Sequence, residues 1–476
     1  MQMTLLHIIG IVLTVGLLLL AGLLSGRRAG GDKKFTTGGS TAGKWMVCGA
    51  IMGTLVGGQT TIGTAQLAFT FGFSAMWFAL GSSIGCVLLA LAYAGPLRRS
   101  GCTTIMEIVG REYGRKTEVA GSVLSLVSIF VSILAQILSA AALIMSFFSV
   151  NFFVGCLIAA GLMLCYVLWG GAVGAGAGGL VKLMLLYASC VAGGVAVWCL
   201  AHGFTGLIEV IPSDIRHQYT YIFARGPLKD LGSALSISLG VLSTQTYAQG
   251  VWMAKSNGAA KRGTLLCALL IPPIGAASVL IGIYMRGHYV TADELQQLQA
   301  VGERLPDGMG VIGSSAQAFP RFVMDVLPDW FGGIVLGTLL VTVIGSGSGL
   351  SLGASTILVR DVLTVVNKRF AGAKAMMRVS RTAIAGILLL GVAVALVAGN
   401  GFINDLGFLS LGLRATTVLI PLSCALWMPK RFGYKQALAS MIAASAMMLA
   451  AHILNLPGDA MFYGLAVGLA VVLLKF

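Results

Sequence analysis

Along this chain, apolar residues neither alternate at strand spacing nor mark one face of amphipathic helices; they come in long runs separated by short polar tracts. Reading each run against its polar flanks predicts membrane helices over residues 3–25, 45–70, 73–95, 118–148, 151–171, 179–201, 231–253, 264–285, 330–358, 382–399, 402–427, 436–455 and 460–474, numbered here as spans 1 to 13. Each crossing of about 30 Å of hydrocarbon needs roughly 20 apolar residues. Thirteen of them use most of the 476 residues, so no separate soluble catalytic domain is expected. Span 1 has no basic segment before it, exceeds a signal-peptide core in length, and is followed by Arg27, Arg28, Lys33 and Lys34. It is therefore expected to stay in the protein with its N-terminus outside.

Composition agrees with the pattern. Only 10% of residues are charged, 57% are hydrophobic and the mean hydropathy is +0.93, whereas a soluble domain carries about a quarter charged residues. Disorder, collagen and secreted disulfide scaffolds are excluded. The net charge of +15 changes meaning once it is placed. On the predicted topology 23 of the 31 basic residues fall on the cytoplasmic side, six on the outside and two within spans. This is the positive-inside asymmetry of an integral plasma (inner) membrane protein with a cytoplasmic C-terminus. It does not call for a nucleic-acid partner, and attraction to anionic membrane lipid is secondary. The nine cysteines form no CxxC pair and read as small reduced packing residues.

Two outer segments, about 202–230 and 287–329, are long and polar and suit short helices and turns, either as an outer lid or as passive connectors. The Gly/Ala run Gly170–Gly179 suits close helix approach.

What departs from plain Leu/Ala/Val helix is informative. Span 2 carries Gly53, Gly57, Gly58 and Gly63 with Gln59, Thr60, Thr61 and Gln66 around its middle. Such a stretch is a poor continuous helix, and backbone groups freed at membrane depth survive only facing a cavity or a ligand. Span 7 has a second polar stretch, Ser236–Gln249, five spans later. Broken helices at matching places in two five-helix units, the second inverted by the odd spacing, mark an inverted-repeat transporter with its site at the midplane. The expected fold is thus an all-α polytopic membrane protein of about 13 transmembrane helices with a five-plus-five inverted repeat core. One transmembrane domain, 1–476, divides into an extra helix (1–30), first repeat (44–201), second repeat (231–427) and two C-terminal helices (436–476).

Span 9 places Thr342 and Ser346 one turn apart on one face, and hydroxyls and bent-helix carbonyls are hard oxygen ligands suited to a small alkali cation. Glycine motifs at Gly38–Lys44 and Gly345–Gly349 lack the strand and the acidic or hydroxyl partners of nucleotide loops. Lys182 and Arg414 lie within spans, where a charge costs a few kcal/mol and by default faces the interior with a partner. Lys182 sits near a helix end and can also extend to the interface; Arg414 can also be structural, paired with Asp405 or with carbonyls.

Four segments carry a family resemblance: Thr61–Gly72 after the span 2 break, Gln249–Gly263 after span 7, Gly353–Asp361 closing span 9, and Ala425–Arg431 after span 11. Over about residues 34–435 the chain resembles the sodium/solute symporters, a branch with the leucine-transporter-type inverted-repeat fold. The resemblance implies a sodium site with carbonyls from Gly53, Val56 and Thr342 and a hydroxyl from Ser346. The family pattern often has two adjacent hydroxyls where this chain has Gly345 and Ser346. Many members also carry an acidic residue in span 6 where this chain aligns Gly179, with Lys182 one turn on. Coupling is therefore expected to be to sodium, the only ion or cofactor implied. The alternative is a proton-coupled or uncoupled transporter in which Lys182 replaces sodium.

Substrate is expected among spans 2, 4, 7 and 11, with Gln59, Thr60, Gln136, Thr244, Gln245 and Arg414 as ligands and Trp77 or Tyr247 as gates. Arg414 and half-helix N-termini point to a small organic solute with a carboxylate or an amino acid, ahead of a sugar. An enzyme is not expected, since only His7 and His452 lie in spans, at opposite ends of the chain, and acids are almost absent there. A non-transporting membrane sensor is a further alternative. The oligomeric state is left open.

Overall fold

The glycines and hydroxyls set where the helices break. A computed structural model describes residues 3–27, 41–148, 150–213, 215–305, 308–363, 373–399 and 401–474. Span 1 is the helix Leu5–Arg27. Span 2 is interrupted: Lys44–Leu55 ends at Val56, a π-type turn covers Gln59–Gly63, and helix resumes over Thr64–Phe71. Span 7 is interrupted likewise, as Pro227–Leu242 and Gln245–Met253 with Thr244 extended between them. Spans 4, 8, 9 and 10 are Arg115–Phe148, Asn257–His288, Asp329–Ile357 and Ala373–Ala398. Span 11 is Ile403–Arg414 continuing through a π-type turn into Ile420–Trp427, and spans 12 and 13 are Tyr434–Ile453 and Ala460–Leu473. Among the described residues, eight helical runs are long and apolar enough to cross a membrane, with three shorter apolar helices beside them. Apolar side chains such as Leu269 (70% exposed) and Leu389 (62%) face outward within their helices, as a lipid-facing surface requires.

Spans 5 and 6 depart from expectation in one respect. The helix Phe152–Leu200 is assigned without a break, yet it is not a straight rod. Tyr166 and Lys182 both reach within 4 Å of the position a Cβ on Gly345 would take. In a straight helix their Cα atoms would stand about 24 Å apart, beyond what the two side chains can span. The parts before and after them return to the same end: Gly155 adjoins Met145, near the end of span 4, and Gly193 adjoins Ile281 and Phe322, near the end of span 8, so the two parts run as antiparallel legs. The close approach expected at Gly170–Gly179 lies outside the described side chains.

The bundle has two unlike ends. One, the basic end, carries Arg98, Arg99, Lys255, Lys261 and Lys430. There the segment before span 2 pairs with the segment after span 7 in a parallel bridge, Ala42 N–H to Met253 O and Lys255 N–H to Ala42 O, both 2.9 Å. The other, the loop end, carries the two long segments, folded as expected into short helices and turns plus one parallel strand pair, Tyr289–Thr291 with Gly310–Ile312. The first of these segments is seated on the bundle: Tyr219 donates its hydroxyl to Phe69 O, and Trp77 Nε1 donates to Ile222 O at 2.7 Å.

Gly72 makes the turn out of span 2 possible. Its φ of 60° lies in the left-handed region, and a Cβ there would overlap the backbone of Tyr219. Gly72→Ala is expected to lose about 2–4 kcal/mol of stability through strain and displacement of that cover. Thermal unfolding in detergent measures it, and an unchanged midpoint would contradict the assigned turn.

Candidate functional site

Four glycines in span 2 leave the helix without side chains to fill its own surface, so neighbouring spans approach closely. A Cβ on Gly57 would lie 2.8 Å from Ser346 Oγ and 3.0 Å from Gln136 Oε1, and one on Gly58 would overlap Ser139. Val56 leaves the helix at φ −91°, ψ 94°, which turns its carbonyl away from the helical direction. Much of the freed backbone is satisfied locally. Thr60, Thr61 and Thr64 donate their hydroxyls to Leu55 O (3.2 Å), Gly57 O (3.1 Å) and Gln59 O (3.0 Å), and Gly58 N–H donates to Gln136 Oε1 at 3.0 Å.

The carbonyl of Gly53 is satisfied differently. The ammonium of Lys182 donates to it at 2.7 Å and to Ser346 Oγ at 3.1 Å, and the Ser346 hydroxyl itself lies 3.2 Å from Gly53 O. Spans 2, 6 and 9 thus converge on one small cluster of oxygens around a positive charge. Lys182 does not extend to the interface, the simpler expectation for a lysine near a helix end; its side chain is buried among the spans and only 6% exposed. Gly345 lies beside it, its Cβ position 3.7 Å from Nζ and 3.9 Å from Tyr166 Oη. Thr342, one turn before Ser346, is fully buried, and its hydroxyl has no hydrogen-bond partner among the described residues.

A second cluster surrounds Arg414, which is 2% exposed. Its Nη1 donates to Thr244 Oγ1 at 3.2 Å, and its Nη2 donates to Ser132 Oγ (2.7 Å) and Ser410 Oγ (2.9 Å), while Nε is buried without a partner among the described residues. Arg414 is not paired with Asp405, one of the partners the sequence offered. Asp405 instead meets Arg225 at 3.2 Å, and the hydrogen-bond acceptors of Arg414 are all neutral hydroxyls. Ser132 and Gln136 are one turn apart on span 4, so the two clusters are stacked on the same helix face.

The predicted ligands therefore divide. Gly53, Gly345, Ser346 and Lys182 come together, with Gln136 adjoining and Val56 and Thr342 flanking them. Arg414 and Thr244 come together elsewhere along span 4. Gln59 points at span 11, its Nε2 buried, without a hydrogen-bond partner among the described residues, and 2.8 Å from the Cβ position of Gly407. Thr60 is occupied by Leu55 O. Gln245 lies toward the basic end, its amide accepting from Ile105 N–H (2.8 Å) and donating to Thr103 O (3.0 Å). Of the two expected gates, Trp77 is at the loop end and Tyr247 is buried in the core.

Ser132, Ser410 and Tyr166 were not singled out from the sequence. A signal existed: Ser125, Ser128, Ser132, Gln136 and Ser139 form a polar stripe at helical spacing along span 4. A void of about 20 Å³ lies beside Arg414, lined in part by Ser243, Gln245 and Asp361. That is room for about one water. A larger cavity of about 530 Å³ opens at the loop end, lined in part by Arg225, Asp405, His452 and Asp459.

Comparison with known proteins agrees with this architecture. A Na+-coupled sialic acid symporter, solved in a substrate-bound outward-open state, superposes with a TM-score of 0.75 at 17% identity, covering 98% of this chain and 96% of its own. Mhp1, a nucleobase-cation-symport-1 family transporter in a closed conformation with bromovinylhydantoin bound, superposes with a TM-score of 0.55 at 12% identity over 92% and 93% of the two chains. Both share the fold, with its inverted-repeat helical core. The model of the sodium:solute symporter family matches residues 35–444. The chain belongs to the sodium:solute symporter family and is a membrane transporter rather than an enzyme.

Proposed function

We propose that this symporter couples sodium to uptake of a small organic solute bearing a carboxylate, and that sodium binds where Gly53 and Ser346 meet. The observation that carries the cation assignment is that these two oxygens already converge on one donor, the amino group of Lys182, at 2.7 and 3.1 Å. Val56 and Thr342 complete the proposed ligand set with their carbonyls. The carboxylate assignment rests on Arg414, a buried cation whose partners are neutral hydroxyls, one turn of span 4 away from Gln136. Gln59, with its partnerless amide nitrogen, is the proposed second polar contact to the solute.

In this reading residues 44–201 and 231–427 are the two repeats, preceded by the helix 1–30 and followed by 436–476. The basic end faces the cytoplasm and the loop end faces outside, with the N-terminus outside and the C-terminus inside, because the basic residues concentrate at the first of these ends.

Uptake by purified protein in liposomes under an imposed sodium gradient tests the reading. Sodium is expected to accelerate uptake, and Ser346→Ala to raise the sodium concentration for half-maximal uptake about tenfold, the loss of roughly 1.4 kcal/mol of ligation. Uptake indifferent to sodium and to Ser346→Ala would remove the assignment. The Lys182 contacts favour a second reading, in which the ammonium permanently replaces sodium and transport is proton-driven or uncoupled. Stimulation by external acid without stimulation by sodium would favour that one.

A further inference from the structure

We propose that the Lys182 ammonium is a tethered tenant of the coupling-cation site, which an incoming sodium ion must displace. The inference rests on the sodium reading above and adds a resident competitor to it. The geometry gives three reasons for a displaceable tenant.

First, the fit is incomplete. An ammonium has three N–H donors, and Lys182 uses two of them, on Gly53 O and Ser346 Oγ. The third has no acceptor among the described residues, and no carboxylate there pairs with the charge. A buried charge held only by neutral oxygens is weakly compensated.

Second, the cation and the lysine cannot share the cluster. Two unit positive charges about 3 Å apart repel by roughly 5 kcal/mol even at an effective dielectric of 20, so occupancy is exclusive. A sodium ion at Gly53 O and Ser346 Oγ and an ammonium on the same two atoms are alternatives.

Third, there is somewhere for the ammonium to go. The lysine stem is flexible, and Gly345 presents no side chain beside it. The Tyr166 hydroxyl borders the same place, 3.9 Å from the Gly345 Cβ position. Tyr166 and Lys182 belong to the two legs of one folded-back helix, so a shift of the ammonium from Ser346 toward Tyr166 moves charge within that hairpin and frees both span 2 and span 9. In the sodium-free protein the tenant would also join these spans, adding to the direct contact of Ser346 Oγ with Gly53 O at 3.2 Å.

The test is sodium-dependent thermal stabilisation of the purified protein, read without solute, alongside sodium-driven uptake. Lys182→Met keeps the stem without the charge, and Lys182→Gln serves as a second variant in case the first does not fold. In both, half-maximal stabilisation is expected at a sodium concentration at least about tenfold lower than in the unmodified protein, equivalent to 1.4 kcal/mol. Potassium and choline should not reproduce the shift, and adding Ser346→Ala to Lys182→Met should reduce it. An unchanged sodium response in folded variants overturns the tenancy and leaves sodium coupling standing. Loss of the response in both folded variants also overturns it, because the lysine would then assist sodium rather than oppose it. A response in the variants with none in the unmodified protein overturns displacement by sodium together with the sodium coupling proposed above, and leaves the lysine as a permanent occupant of the site.

Discussion

Asp230→Ala is expected to cost about 3–5 kcal/mol of stability, the range for removing one partner of a buried ion pair. Asp230 is fully buried at the start of span 7. One carboxylate oxygen accepts from Arg225 Nε at 2.7 Å, the other from the Arg225 backbone N–H at 3.2 Å, and Ser74 donates to both at 2.8 and 2.9 Å. The side chain of Arg225 is 3% exposed, stacks at 5.0 Å over the ring of Phe408, and reaches Asp405 at 3.2 Å. Without Asp230 the guanidinium keeps only Asp405, which is 40% exposed. An exposed partner contributes little, so Asp405→Ala should cost no more than about 1 kcal/mol. The contrast between the two variants, measured by unfolding in detergent, is the discriminating result. Equal losses would mean that Asp230 is not the buried anchor of the loop end.

Arg414→Met is expected to leave the protein folded while reducing uptake about 100-fold. An uncompensated buried charge contributes little to stability, and replacing it with an apolar side chain of similar length is often neutral or stabilising. A charge-assisted hydrogen bond to a carboxylate is worth about 1.5–3 kcal/mol, and 2.7 kcal/mol corresponds to 100-fold. A structural arginine would behave in the opposite way, losing stability in the variant while any surviving protein transports normally. Uptake rate and unfolding midpoint measured on the same preparations separate the two. Arg414→Lys keeps charge without the fork and should recover only part of the uptake.

The spans were legible because bilayer thickness writes itself directly into run length, and the two broken helices were legible because glycine and hydroxyl residues are conspicuous among Leu, Ala and Val. Lys182 and Arg414 stood out for the same reason, as charges where charge is scarce. Their partners did not. Arg414 could be given Asp405 on proximity in sequence, but helix geometry puts Asp405 more than two turns away, at the loop end, where Arg225 from a preceding loop reaches it first. Thr60 and Gln245 carry the right chemistry for a solute. The first is consumed by a carbonyl its own helix break releases, the second by the backbone of a segment 140 residues earlier. Such assignments depend on which groups a fold leaves unsatisfied, and that follows from tertiary placement. The stripe of serines on span 4 was present in the sequence at helical spacing, yet serine is common enough in membrane helices that spacing alone did not distinguish ligand from packing.

The bridge at Ala42 has a consequence of another kind. It fastens the entry to span 2 to the exit from span 7 through amide and carbonyl groups, with no side chain taking part. Any motion that parts the two halves at the basic end has to shear those bonds, each worth about 1 kcal/mol net. A scan that exchanges side chains one at a time passes over such a clasp, because every residue but proline supplies the same atoms. The fastening of that end is inherited by the backbone path, and the sequence is free to drift around it.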